Sequence, residues 1–157
     1  MELSAHVIAH SIGVAKFMAD YAETHPELQV DPHQYYVIGL LHDIGKLYPG
    51  DPDPSGKSKY KGHAKKGGLL LKEMGFIRYK EILHHGHPED KFFSTTWLIL
   101  NLADLSINGK GETVPIVQRI NSIGARYGIN SEEHRRALQI MNLLIRLKIV
   151  SKQGDIL

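Results

Sequence analysis

The sequence contains no cysteine. That excludes disulfide frameworks, thiolate zinc sites, iron–sulfur clusters and cysteine nucleophiles. It also lacks a dominant charge. Nineteen lysines and arginines against 17 acids leave a net +2, too little to argue for nucleic acid or a membrane from charge alone. No apolar run approaches the roughly 20 residues that span a bilayer. The opening MELSAHVIAHSIGVAKFMAD carries an acid and histidines where a signal peptide has a basic region and then an apolar one. A cytoplasmic protein is expected. There is no internal repeat and no low-complexity tract. With 42% apolar and 23% charged residues, the composition is that of an ordinary folded domain, and disordered or collagen-like classes are excluded. A chain of 157 residues suits one domain with one core.

What is present is helical periodicity broken by glycine and proline. Leu3, Val7, Val14, Phe17 and Met18 share one arc of a helix over about 3–24. HPELQVDPHQ ends it with two prolines. A second helix is predicted over 33–47, apolar nearly all round and therefore the central buried one. Residues 48–62 read as a loop, 63–74 as a helix closed by Gly75, and 79–85 as a short helix. STTWLILNLADLSI then reads as a strongly apolar helix capped by Ser94 or Thr95. NGKGET breaks the chain again. Pro115 opens a helix to about Tyr127, and Asn130 or Ser131 caps a last one, EEHRRALQIMNLLIRLK. The tail IVSKQGDIL reads as a short strand or an extended arm. The fold class is all-α, with about six or seven helices.

There are ten histidines, five of them between His42 and His87. His42-Asp43 falls in LLHDIGK, where an ionised carboxylate is costly unless it is paired or bound to a metal. Asp104 lies near the end of an apolar helix, a place where the helix dipole disfavours negative charge. His10 sits at the edge of the core-facing arc of the first helix, more inward than His6. His63 opens a helix, and His84-His85 with His87 follow. His25, His33 and His134 read as surface residues. These elements occupy separate helices, and facing helices of a bundle can bring such groups together. Nitrogen and oxygen ligands suit Mn, Fe, Zn, Co or Mg.

His10 in HSIGVA, His42-Asp43 in LLHDIGK and Asp104 in NLADLS are together similar to the HD-domain metal-dependent phosphohydrolases. The resemblance spans about two thirds of the chain. It implies an HD-domain helical bundle over 1–157, with 112–157 as further helices of the same domain that have no family counterpart. It implies a first metal on His10, His42, Asp43 and Asp104. Asp43 would bridge to a second metal on His63 and His84, with His85 either a ligand or beside the phosphate. Asp43, Lys46 and His85 form the implied catalytic set, and Lys46 would bind a phosphate oxygen. Two divalent ions activating water suit phosphoester hydrolysis without a protein nucleophile. The implied substrate is a small phosphate ester, a nucleotide above all. Membranes and nucleic acid are not expected partners, and a homo-oligomer stays open. Other readings are a di-iron oxygenase of the same type and a non-catalytic nucleotide-binding module.

GDPDPSGKS imitates a phosphate loop, but five residues separate Gly50 from Gly56 where the Walker pattern has four, and no strand precedes it. Lys57, Lys59, Lys61, Lys65 and Lys66 read as a solvated basic loop or as a lid for a polyphosphate. Arg135, Arg136, Arg146 and Lys148 read as the solvated face of the last helix.

Overall fold

In the computed structural model, which describes residues 2–157, the chain starts with its longest helix, α1 (Ala5–Thr24). There follow α2 (Pro32–Leu41), α3 (His63–Glu73), α4 (Tyr79–Leu83), α5 (Thr95–Ser106), α6 (Ile116–Tyr127) and α7 (Glu132–Arg146). Among the described residues there is no strand, only two isolated antiparallel bridges, Ile107 with Thr113 and Val150 with Ile156. The fold is the all-α bundle that the periodicity predicts, and the tail contributes no more than one such bridge. No helix among the described residues is long and apolar enough to cross a membrane.

Three helix starts, those of α2, α5 and α7, are capped by a side chain. Asp31 accepts from the His33 N–H at 3.0 Å, Ser94 from Trp97 at 3.0 Å and Ser131 from His134 at 3.2 Å, each satisfying a backbone donor that the helix leaves free. Gly75, at φ 80°, follows α3 in the left-handed conformation that favours glycine. Pro115 stands one place before α6 rather than within it.

The central helix is α5, not α2 as the sequence suggests. Every residue of α5 is buried except Thr95 and Asp104. One face joins Val14, Met18, Tyr35, Ile38 and Ile82 through Ile99, Leu100 and Ala103. The other joins Ile116, Ile120, Ile140 and Leu144 through Trp97, Leu98, Leu102 and Leu105. A helix between two apolar layers must be apolar all round, and each large side chain so buried stabilises the fold by about 1.5–3 kcal/mol. By contrast, α2 buries only Tyr35, Ile38 and Gly39.

α2 also stops earlier than its hydrophobicity predicts. It ends at Leu41, and a 3-10 turn takes over at Ile44–Leu47. His42-Asp43 therefore lies in a turn, not in mid-helix. Gly45 permits this. A Cβ there would strike the His63 carbonyl and come within 2.7 Å of the Gly67 nitrogen, so only glycine lets the turn rest on the start of α3.

Candidate metal centre

Five segments carry one cluster. His10 comes from α1, His42 and Asp43 from the turn after α2, His63 from the first position of α3, His85 from just beyond α4, and Asp104 from α5. Ligand atoms of His10, His42 and Asp104 lie within 4.8 Å of one another, as do those of His42, Asp43 and His85. His10, His42, Asp43 and His85 are all buried, at 5% exposure or less.

The four imidazoles are anchored alike. Each donates its Nδ1–H to a backbone carbonyl: His10 to Asn108 at 3.1 Å, His42 to Gly39 at 2.6 Å, His63 to Tyr60 at 3.1 Å and His85 to Ile82 at 2.6 Å. In the last three the carbonyl belongs to the residue three places earlier. A carbonyl only accepts, so a neutral ring keeps its proton on Nδ1 and turns the Nε2 lone pair to the cluster. The Nε2 atoms of His63 and His85 then stand 3.2 Å apart, lone pair to lone pair. His42 Nε2 is buried with no hydrogen-bond partner. Buried polar atoms are rarely left so, and a cation among them removes both conflicts.

Asp43 divides the cluster between its two oxygens. Oδ2 faces Lys46 Nζ at 3.0 Å, His42 Nε2 at 3.3 Å and His10 Nε2 at 3.8 Å. Oδ1 faces His63 Nε2 at 3.1 Å and His85 Nε2 at 3.4 Å. Asp104 Oδ1 lies 2.8 Å from His10 Nε2 and 3.5 Å from His42 Nε2.

The electrostatics agree with a site that attracts positive charge. Burial opposes ionisation of Asp43, but the charges of His42 and Lys46 beside it hold it well below the usual carboxylate range. Asp104 is likewise opposed by burial and lowered by His10 and His42. Burial disfavours protonated His42, yet Asp43 and Asp104 outweigh it and push its pKa up to about 10. Burial pushes His63 down. Burial also opposes the charge on Lys46, but Asp43 keeps its pKa raised. A metal here displaces a proton, since its ligands must be deprotonated.

The structure brings together His10, His42, Asp43, Lys46, His63, His85 and Asp104, and sets His84 apart, where the sequence reading pairs His63 with His84. The His84 ring lies 2.9 Å from Asp90 Oδ2 and stacks on Phe92, while its carbonyl accepts from Trp97 Nε1. Neighbouring residues project in different directions, so one of the pair turns inward and the other outward. Asn101 fixes which: its Oδ1 accepts from the Gly86 N–H at 2.8 Å and holds the chain beside His85 against α5. Lys46 reaches Asp43 from a 3-10 turn at i+3, rather than lying one α-helical turn after His42.

The loop over 48–62 is not a phosphate loop. Its donors Ser55 N–H and Ser58 N–H are used by the Asp53 carboxylate, at 3.2 and 2.8 Å. Of its lysines and those just beyond, only Lys61 lines the cavity, and Lys66 is tied to Asp51 at 2.7 Å. The cluster opens into a cavity of about 360 Å³ whose far wall is α6 and α7. Arg119, Tyr127, Glu133 and Arg136 reach it there. The sequence reading misses them, and assigns Arg136 to a solvated face, because their helices carry no ligand motif. The only signal is the basic and aromatic content of two amphipathic helices.

A family model described as HD domain matches residues 7–151, a span that includes α6 and α7. No curated protein and no solved structure matches the chain.

Proposed function

Because this chain belongs to the HD-domain family, and its clustered histidines and aspartates can hold divalent metal, we propose that it is a phosphohydrolase of small phosphate esters, nucleotides foremost. The observation that carries the reading is the set of four anchored imidazoles whose lone pairs converge around the two-sided carboxylate of Asp43, inside a cavity that also presents Lys46. His10, His42, Asp104 and Asp43 Oδ2 would hold one ion. His63, His85 and Asp43 Oδ1 would hold another. Mn, Fe, Zn, Co and Mg all suit such ligands. A divalent ion so held supplies charge that polarises a phosphoryl oxygen and acidifies water.

The remaining work falls to the protein. The backbone carbonyls at Gly39, Tyr60, Ile82 and Asn108 fix the ring tautomers and their aim. Asp43 keeps Lys46 charged and placed at the cavity wall. There the ammonium can bind a phosphate oxygen that gains negative charge as the bond to the leaving group breaks. With the carboxylates and imidazoles of the cluster engaged in holding the ions, the attacking group would be water rather than a side chain.

Metal analysis of the purified protein, followed by a phosphoester panel with each metal restored, tests this. About two metals per chain with phosphate release is expected. Iron content with oxygen uptake and no phosphate release would overturn it in favour of a di-iron oxygenase. Nucleotide binding without turnover would favour a sensor.

A further inference from the structure

Four cationic side chains line the cavity: Lys46, Lys61, Arg119 and Arg136. They are not equivalent. Lys46 is committed to Asp43 at 3.0 Å. Arg136 is neutralised by Glu89, whose Oε2 accepts from Nε at 2.7 Å, and by Glu132 at 3.6 Å. Lys61 is exposed on the loop, its ammonium has no hydrogen bond among the described residues, and it must lose side-chain entropy to hold any ligand. Arg119 differs from all three. Its Nε donates to the Ile107 carbonyl at 3.0 Å, which fixes the guanidinium, and no acid among the described residues pairs with it. The two terminal nitrogens remain as a planar fork.

The anchor point also matters. Ile107 caps α5 three residues after Asp104, and the next carbonyl, that of Asn108, holds the His10 ring. One short segment therefore positions both a candidate metal ligand and this arginine. An immobilised, unneutralised guanidinium facing a cavity suits bidentate binding of an oxyanion.

We infer that Arg119 is a second anion-reading residue of the cavity beside Lys46, binding a phosphate group of the substrate from the α6 side. The inference rests on the phosphohydrolase reading and names the α6 contribution to that site. It makes Arg119 a determinant of affinity: the anchored fork meets a charge that ground state and transition state both carry, so its loss raises KM more than it lowers kcat.

The test is calorimetric titration of metal-loaded protein with inorganic phosphate and, separately, with pyrophosphate, for wild type, Arg119→Gln and Arg119→Lys. Hydrogen bonds to charged groups of this kind predict a loss of about 10-fold or more in affinity for Arg119→Gln. Arg119→Lys should recover part of it, because it restores the charge without the fork. A larger loss for pyrophosphate places Arg119 on a second phosphate, and a similar loss for both places it on the phosphate at the metals. Circular dichroism and metal content serve as folding controls, and the lysine variant provides a second reading if the glutamine variant is unstable. Binding by wild type that is undiminished in both variants overturns the Arg119 assignment alone. Failure of metal-loaded wild type to bind either anion overturns the phosphohydrolase reading with it.

Discussion

At the scale of the residue, the pair His84-His85 separates what sequence shows from what it hides. Two adjacent histidines announce that one faces a site, but not which one. The choice depends on Asn101, fifteen residues beyond Gly86, and on the hydrogen bond that Trp97 gives to the His84 carbonyl. His85→Ala is therefore expected to lower metal stoichiometry from about two to about one per chain, while His84→Ala leaves it unchanged; plasma emission analysis of dialysed protein reads the difference. Equal loss in both variants would contradict the placement. Lys46 allows a sharper question. Lys46→Met keeps the apolar stem and deletes the charge beside Asp43. On the order of 10²-fold in kcat/KM should be lost, about 2.7 kcal/mol of transition-state stabilisation, with bound metal not reduced. Near wild-type turnover in steady-state kinetics would reduce the lysine to a partner that merely balances a buried carboxylate. Arg119 and Arg136 were illegible for a different reason. A cation on an amphipathic helix looks solvated until the tertiary fold curls that face over a cavity.

Elements were read more securely than their roles. Six or seven helices with glycine and proline breaks are legible because caps and breakers are local chemistry: of the caps offered, Ser94 rather than Thr95 and Ser131 rather than Asn130 are used, and Gly75 closes α3. Which helix is central was not visible, since periodicity alone does not tell a helix between two apolar layers from one lying on a single layer. The early end of α2 was hidden as well, because it depends on contact between Gly45 and α3, residues that meet only in three dimensions. Gly45→Ala should force the 3-10 turn off the start of α3. Overpacking of this kind costs about 1–3 kcal/mol, so a drop in melting temperature of about 3–10 °C is expected, together with weaker metal retention, because His63 is the residue pushed. Gly109→Ala, where a Cβ meets nothing, is the matched control and should melt with the wild type. If both variants melt alike, the close approach is not a constraint.

At the scale of the whole molecule, the candidate ligands come from five segments that the bundle gathers, and any ion held by them ties α1, α3 and α5 together with the turns after α2 and α4. Removing metal with a chelator should lower the melting temperature, by an amount that grows with the free metal concentration relative to its dissociation constant, while helical circular dichroism at room temperature stays unchanged. A collapse of helicity on chelation would show that the metal builds the fold rather than binding to it. The anchoring of the imidazoles favours the first outcome. Three of the four hang from carbonyls within their own turn, so their aim is set locally and survives without the ion. The site is then a socket rather than a clasp: it fills without reshaping the chain, and emptying it erases nothing. Repeated stripping and reloading should retrace one titration curve with no hysteresis. The same frame would then accept any divalent ion that suits nitrogen and oxygen ligands.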